Sequence, residues 1–358
     1  MDIIKLLKQF SEAPGPSGYE QQIAAVVSKA WEPYTDELSV DRMGSVIAVK
    51  HGRGTEPRRR LLLAAHIDEI GLMVKQVVAH NGNGFLRVTK LGGIDIRHLY
   101  GQMVVVHGQR DLIGVIGSLP DRMLPESRRK KPFGFEDLVV DVGMSESQVN
   151  ELVSVGDFIT FRQPLRKMLG KTITGKALDN RASVAALTVC LANLEGRYHD
   201  WDVIAVATAQ EETRLLGAFT SAFAQQPDAA VAVDVTFAKG AGVSHSRTFV
   251  LGDGPVIDSG PNVHPGLHKA LQEAAKALEM KVSTSTHSRA SGTDAFGIQV
   301  ARAGIPTGLV SIPLRYMHTM VETINSDDVK RVGRLLGEFI ARLDDQFLNK
   351  LAQEMMEN

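Results

Sequence analysis

The sequence predicts an α/β protein with a central mixed sheet flanked by helices, and a small all-β region inserted into it. Three observations carry this. Short apolar strands alternate with helical stripes in the first part of the chain and again in the second. Between about residues 71 and 162, short β-rich runs alternate with glycine instead. The strands outside that stretch are continuous apolar runs, the pattern of strands covered on both faces. With 358 residues, 44% of them apolar, the chain can bury a large core, and more than one domain is expected.

The elements follow in order. Ile3, Ile4, Leu6, Leu7 and Phe10 recur at helical spacing, and Pro14-Gly15-Pro16 ends that helix. Ser17 and Glu20 read as a capping box for a second helix, whose apolar face carries Ile23, Val26, Val27 and Ala30. Strands are expected over 46–49 and 61–65. In the inserted region they are expected over 71–78, 85–89, 103–106, 112–116 and 158–161, with Asn81-Gly82 and Asn83-Gly84 marking a hairpin turn. The stretch 119–135 is rich in proline and charge and reads as an exposed loop. Its basic run 128–131 reads as a solvated tip, with an acidic partner as the other reading. A short helix is expected over 145–153. After the insert come helices over 182–194, 216–224 and 265–278, and strands over 203–209, 229–233, 281–286 and 307–312. The last helix has Ser326 as its N-cap, Asp327 and Asp328 in its first turn, and a stripe from Val329 to Leu343.

Charge and cysteine content exclude several classes. Lys+Arg 40 against Asp+Glu 41 leaves a net charge of -1, which argues against a general nucleic-acid or anionic-membrane binder. The single cysteine, Cys190, cannot form an intrachain disulfide, and its apolar neighbours mark it as a small core side chain. The first residues lack the features of a signal peptide, and no apolar run approaches a membrane span. A cytoplasmic protein is expected.

The chemistry lies at strand ends, where open α/β sheets bind ligands. Residues 61–65 run into His66-Ile67-Asp68-Glu69, and 203–209 into Gln210-Glu211-Glu212. Residues 229–233 run into Asp234, 308–312 lead to His318, and Gly175-Lys176-Ala177-Leu178 lead to Asp179. Singly, each has an ordinary structural reading: His66 and His318 as hydrogen-bonded histidines, Asp179 as an N-cap, Asp234 as a turn residue, Glu211-Glu212 as a solvated pair. Together they bring imidazole and carboxylate to one edge, a donor set that suits Zn²⁺, Co²⁺ or Mn²⁺. The set is too large for one catalytic ion and fits two. Asp68 stands where it could orient His66. One of the Glu pair can bind metal while the other moves protons.

These motifs, with Ala65–Gly71, Ala177–Arg181, Gly292-Thr293-Asp294-Ala295 and Arg315–Thr319, resemble the tetrahedral, or glutamyl-type, aminopeptidases, some historically labelled endoglucanases. The resemblance runs nearly the whole chain in order. It implies a metallopeptidase catalytic domain over 1–70 and 165–358, with an inserted β-barrel-like dimerisation domain over 71–164. It implies two divalent ions per subunit (Zn, Co or Mn), with Asp179 bridging, His66 and Asp234 completing one site, and Glu212 and His318 completing the other. Glu211 is implied as general base and then acid, and Asp68 as the residue orienting His66. The implied reaction is hydrolytic release of the N-terminal residue of short peptides. The implied assembly is of dimers into a tetrahedral dodecamer, without nucleic-acid or membrane partners. This chain departs from the pattern after the Glu pair, where Thr213-Arg214-Leu215-Leu216 precede Gly217, and at Thr319-Met320-Val321-Glu322. A related dinuclear deacylase or carboxypeptidase-like hydrolase, and a non-catalytic metal-stabilised assembly protein, are the alternative readings.

Overall fold

The computed structural model describes residues 1–124, 126–129, 131–243 and 248–357, apart from the side chains of 121 and 354–357. Among the described residues a mixed sheet of eleven strands is flanked by helices, and a closed β-barrel lies beside it. Four parallel strands form the sheet's centre, in the order Asp202–Thr208, Arg60–His66, Ala229–Phe237 and Thr307–Arg315. Antiparallel strands extend it on both sides. Val46–Lys50 pairs with Asp202–Thr208, and Glu322–Asn325 with Thr307–Arg315.

The continuous apolar runs have a direct cause. Side chains alternate across a strand. In Arg60–His66, Leu61, Leu63 and Ala65 enter the core on one face, while Leu62 and Ala64 enter the core on the other. Val203, Ala205 and Ala207 against Ile204 and Val206 repeat the pattern. The helix Leu178–Leu194 lies under the sheet and is buried nearly all round, including Cys190. Burial pushes that thiol up to about 12, so it stays protonated.

The barrel closes in the order Gly71–His80, Asn83–Leu91, Val139–Ser145, Asp111–Gly117, Met103–His107 and Phe158–Phe161. Asn81 and Gly82 form its first hairpin turn, both with positive φ (49° and 81°), which asparagine and glycine accept readily, whereas Asn83 and Gly84 already belong to the returning strand, paired with His80 and Ala79. Ser145 caps the short helix Glu146–Leu152 through a capping box with Gln148. The barrel has its own core of Leu72, Leu86, Val104, Val106, Val140 and Ile159, among others. Of the basic run 128–131, Lys130 lies outside the described residues. Arg128 pairs with Asp137 and with Glu136 at 3.2 Å, and Arg129 donates to the carbonyls of Leu124 and Arg122, so both guanidinium groups are satisfied within the loop.

Two capping assignments differ from the sequence reading. Ser17 does not cap the helix Gln21–Trp31. Its hydroxyl donates to Asp68 Oδ2, while Glu20 accepts from Gly18 N and Gln210 N. Ser17 is drawn to the sheet edge by the buried Asp68 and Glu20 by the half-buried Gln210 N–H, partners that a local pattern does not contain. The helix Ser326–Ala341 is capped by Asn325, whose side chain accepts from Asp327 N. Ser326 is instead the first residue of that helix, and Asp327 and Asp328 stand in its first turn as expected, Asp328 also accepting from Gly252 N and Gly254 N.

Candidate metal centre and active site

Every residue singled out from the sequence arrives at one sheet edge. His66 is the last residue of its strand, only 2% exposed. Asp234 lies inside the strand Ala229–Phe237 rather than after it, because that strand continues past the buried run. Gln210 takes a left-handed conformation (φ 58°) and turns the chain into the one-turn helix Glu211–Arg214. Asp179 sits in non-helical backbone at the start of Leu178–Leu194. His318 has φ 59° in the loop after Thr307–Arg315.

The side chains converge on an open pocket of about 380 Å³. His66 Nε2 lies 3.2 Å from Asp179 Oδ1, and His318 Nε2 lies 3.4 Å from Asp179 Oδ2, so one carboxylate stands between the two imidazoles. His318 Nε2 is 3.3 Å from Glu212 Oε1. Ligand atoms of His66, Glu211 and Asp234 lie within 4.8 Å of one another, as do those of His66, Asp179 and Glu212.

Buried carboxylates so close together repel, and their proton affinities record it. Burial first, then Asp234, Asp294 and Asp68 against the opposing pull of His66, push Glu211 up to about 10. Burial and Asp179 raise Asp234 well above the carboxylate range. Burial opposes ionisation of Asp179, but hydrogen bonds from His318 and His66 outweigh it and hold this carboxyl below its usual value. Hydrogen bonds to Asp179 and Glu212 push His318 up to about 11. Burial disfavours the charged form of His66, yet Glu211, Asp179 and Asp68 together raise it. Without a cation the site therefore neutralises itself with protons. Two imidazoles and a crowd of oxygen donors are the donor chemistry of a divalent cation, and a cation would replace those protons.

Two buried carboxylates brace this set from behind. Asp68 lies 3.3 Å from His66 Nδ1 and accepts the backbone N–H groups of Glu211 at 3.0 Å and Glu212 at 3.1 Å. It thereby holds the imidazole and the acid pair in one frame. Burial works against its charge, but His66, Ser17 and Glu211 N–H keep its pKa low. Glu322 accepts from Asp179 N at 3.0 Å and from His318 N at 2.9 Å. Sequence reasoning noted Glu322 only as part of a departure and gave it no role; its function depends on a pairing between residues 143 apart. Glu69, Lys176 and Arg181 were likewise not singled out. Lys176 Nζ lies 2.7 Å from Glu69 Oε2, and Arg181 donates to the carbonyls of Ile67, Phe10, Ala13 and Gly15. All three stand within the quoted segments 65–71 and 175–181, but nothing local in the sequence gives them a role. Of the Gly292-Thr293-Asp294 segment, the first two line the pocket, and Asp294 accepts from Thr208 Oγ1.

Comparison with known proteins identifies the family. Residues 44–335 match the model of the M42 glutamyl aminopeptidases. The chain belongs to that family. It is 33% identical over 344 residues to the lysyl aminopeptidase of Pyrococcus furiosus, covering 95% of this chain and 97% of that one. The TET aminopeptidase of the marine sediment archaeon Thaumarchaeota archaeon SCGC AB-539-E09 superposes with a TM-score of 0.90 at 33% identity, over 98% of each chain. The TET1 peptidase of Pyrococcus horikoshii, which can assemble into a tetrahedron or a large octahedral shell, superposes with a TM-score of 0.81 at 31% identity, over 96% of this chain and all of that one. This M42 chain is thus a peptide hydrolase with the fold of the TET aminopeptidases. No helix among its described residues is long and apolar enough to cross a membrane.

Proposed function

We propose that this M42 peptidase releases the N-terminal residue of short peptides by hydrolysis at a pair of divalent cations. The single observation that carries the proposal is the convergence of His66, Asp179, Glu211, Glu212, Asp234 and His318 in one pocket. Asp179 would stand between the cations, with His66 and Asp234 holding one and Glu212 and His318 the other. Zn²⁺, Co²⁺ and Mn²⁺ all suit these donors. Such ions, when bound, lower the pKa of water and polarise a carbonyl.

The chain's own groups do the rest. Glu211 takes the proton of the attacking water on its carboxylate and gives it to the leaving amine. Asp68 orients His66 and, through two N–H groups, keeps Glu211 and Glu212 in register. The acidic lining complements a free α-ammonium, which restricts cleavage to the first residue. The family is described as glutamyl and a relative as lysyl, so membership alone spans both charges of the preferred residue.

We divide the chain into a catalytic domain of 1–70 and 165–358 and an inserted domain of 71–164. The barrel strands running from Gly71 to Phe161 support this division. Exposed Met103, Ile113 and Val115 on the barrel's outer face, with the shells formed by the Pyrococcus horikoshii relative, support assembly through the barrel into dimers and a dodecamer. Mass measurement in solution tests the assembly. The activity is tested by offering unblocked and N-acetylated peptides to the enzyme before chelation, after it, and after return of each metal. Cleavage of only the unblocked peptides, lost on chelation and restored by metal, is the expected result. A fully loaded enzyme that spares every unblocked peptide would overturn the proposal.

A further inference from the structure

The one-turn helix that presents the acid pair ends in a cation. Arg214 lies three residues after Glu211, so both side chains leave the same side of the turn. Arg214 lines the same pocket as His66, Asp179 and His318. Its neighbours on the helix are engaged elsewhere: Glu211 Oε2 lies 3.8 Å from His66 Nε2, and Glu212 Oε1 3.3 Å from His318 Nε2. Among the described residues the Arg214 guanidinium has no hydrogen-bond or ion-pair partner. Beyond the acids and imidazoles, the lining around it is uncharged, with Thr213, Leu215, Val235 and Met317 among it.

An arginine beside so many carboxylates would ordinarily pair with one. Here the carboxylates are turned to the imidazoles, and in the proposed reading they are held by cations. Arg214 is an exposed residue of the pocket lining, and its guanidinium is a planar two-pronged donor whose shape matches a carboxylate. We propose that Arg214 is a specificity-determining residue that selects peptides bringing a carboxylate into the pocket. This rests on the reading of the pocket as a peptide-cleaving site and adds the chemical class of peptide. The carboxylate can come from the side chain of the first residue, from that of the second, or from the C-terminus of a dipeptide.

The test separates these sources. Leucyl-leucine amide is the neutral reference. Glutamyl-leucine amide, leucyl-glutamate amide and leucyl-leucine with a free C-terminus each place one carboxylate differently, and lysyl-leucine amide reverses the charge. In the metal-loaded enzyme, kcat/KM for one carboxylate-bearing peptide should exceed that of the reference by about tenfold, as expected for one charge-assisted hydrogen bond. That ratio, taken within each variant, should fall to about one in Arg214→Ala, persist in part in Arg214→Lys, and invert toward the lysyl peptide in Arg214→Glu. The same peptides are titrated calorimetrically into Glu211→Gln protein with and without Arg214→Ala. About tenfold tighter binding of the favoured peptide should appear in the first and vanish in the second. Equal affinities for all peptides, or a preference that survives Arg214→Ala, overturns the proposal. Discrimination in binding with no cleavage of any peptide by the loaded wild type would sustain the role of Arg214 and sink the peptidase reading instead.

Discussion

The two histidines of the site are held in opposite ways. His66 ends a parallel strand clamped by neighbours on both sides, is 2% exposed, and has Asp68 and Asp179 on its two ring nitrogens. His318 sits in left-handed loop backbone, and its side chain is 35% exposed. Its position is set by one near and one distant group: Glu322, four residues on, accepts its N–H, and its Nδ1 donates to the carbonyl of Gly93, between two strands of the barrel. One wall of the site is thus a by-product of building the sheet. The other depends on a loop propped by the barrel. The frame should be rigid on the His66 side and adjustable on the His318 side.

Asp179 joins the two halves, so Asp179→Ala should have the largest effect. It should abolish retention of both ions and all measurable activity, read by elemental analysis of the purified protein and by peptide assay. A variant that keeps its metal would show that the halves are held separately. Glu211→Gln should follow. It should retain metal on both sides but lose turnover by about 10²–10⁴-fold, the usual weight of a general base; near-normal rates would remove Glu211 from that role. Glu322→Gln and Asp68→Asn should each weaken metal binding by about 10–100-fold, the usual cost of losing the group that orients a ligand. Glu322→Gln should empty the His318 half first and Asp68→Asn the His66 half, as stoichiometry across a metal titration would reveal. The same loss from both halves would erase the contrast.

Proton linkage gives a smaller effect. In the metal-free protein, hydrogen bonds to Asp179 and Glu212 push His318 up to about 11, and burial above all pushes Glu211 up to about 10. At neutral pH both hold protons. A cation requires a neutral imidazole and displaces them, so the bound state carries fewer protons and binding tightens as pH rises, by up to about tenfold per pH unit for each proton released. Calorimetry in buffers of different ionisation heat should detect that release, and its absence would contradict the protonation argued for both groups. The smallest effect should come from Gly93→Ala. A Cβ there would lie 2.8 Å from His318 Nδ1 and 2.9 Å from its Cε1, so the imidazole must yield. Metal binding in the loop half alone should weaken by about tenfold or less, while the His66 half stays loaded.

Much of this molecule is legible in its sequence, and the legible parts share a cause. The continuous runs at Leu61–Ala65 and Ile204–Ala207 announce strands covered on both faces, because alternation fails only where neither face meets water. Asn81-Gly82 announces its turn because few other pairs accept positive φ twice. His66, Asp179, Glu211, Glu212, Asp234 and His318 could be collected as candidates because strand ends of one sheet must share an edge. The misses also share a cause. Ser17 and Glu20 have the spacing of a capping box, but the buried Asp68 and the half-buried Gln210 N–H, both distant in the chain, replace the capping bonds. Glu322 gives no local signal that it braces Asp179.

The sequence by itself determined the layers, the strand ends that carry chemistry, and the donor types gathered there, since these follow from periodicity and side-chain composition. Only the tertiary structure decided that Asp179 stands between the two imidazoles, that Asp68 and Glu322 hold the frame, and that Arg214 joins the lining of the pocket. Those are relations between residues far apart in the chain, fixed by burial and by the need of each buried polar group for a partner.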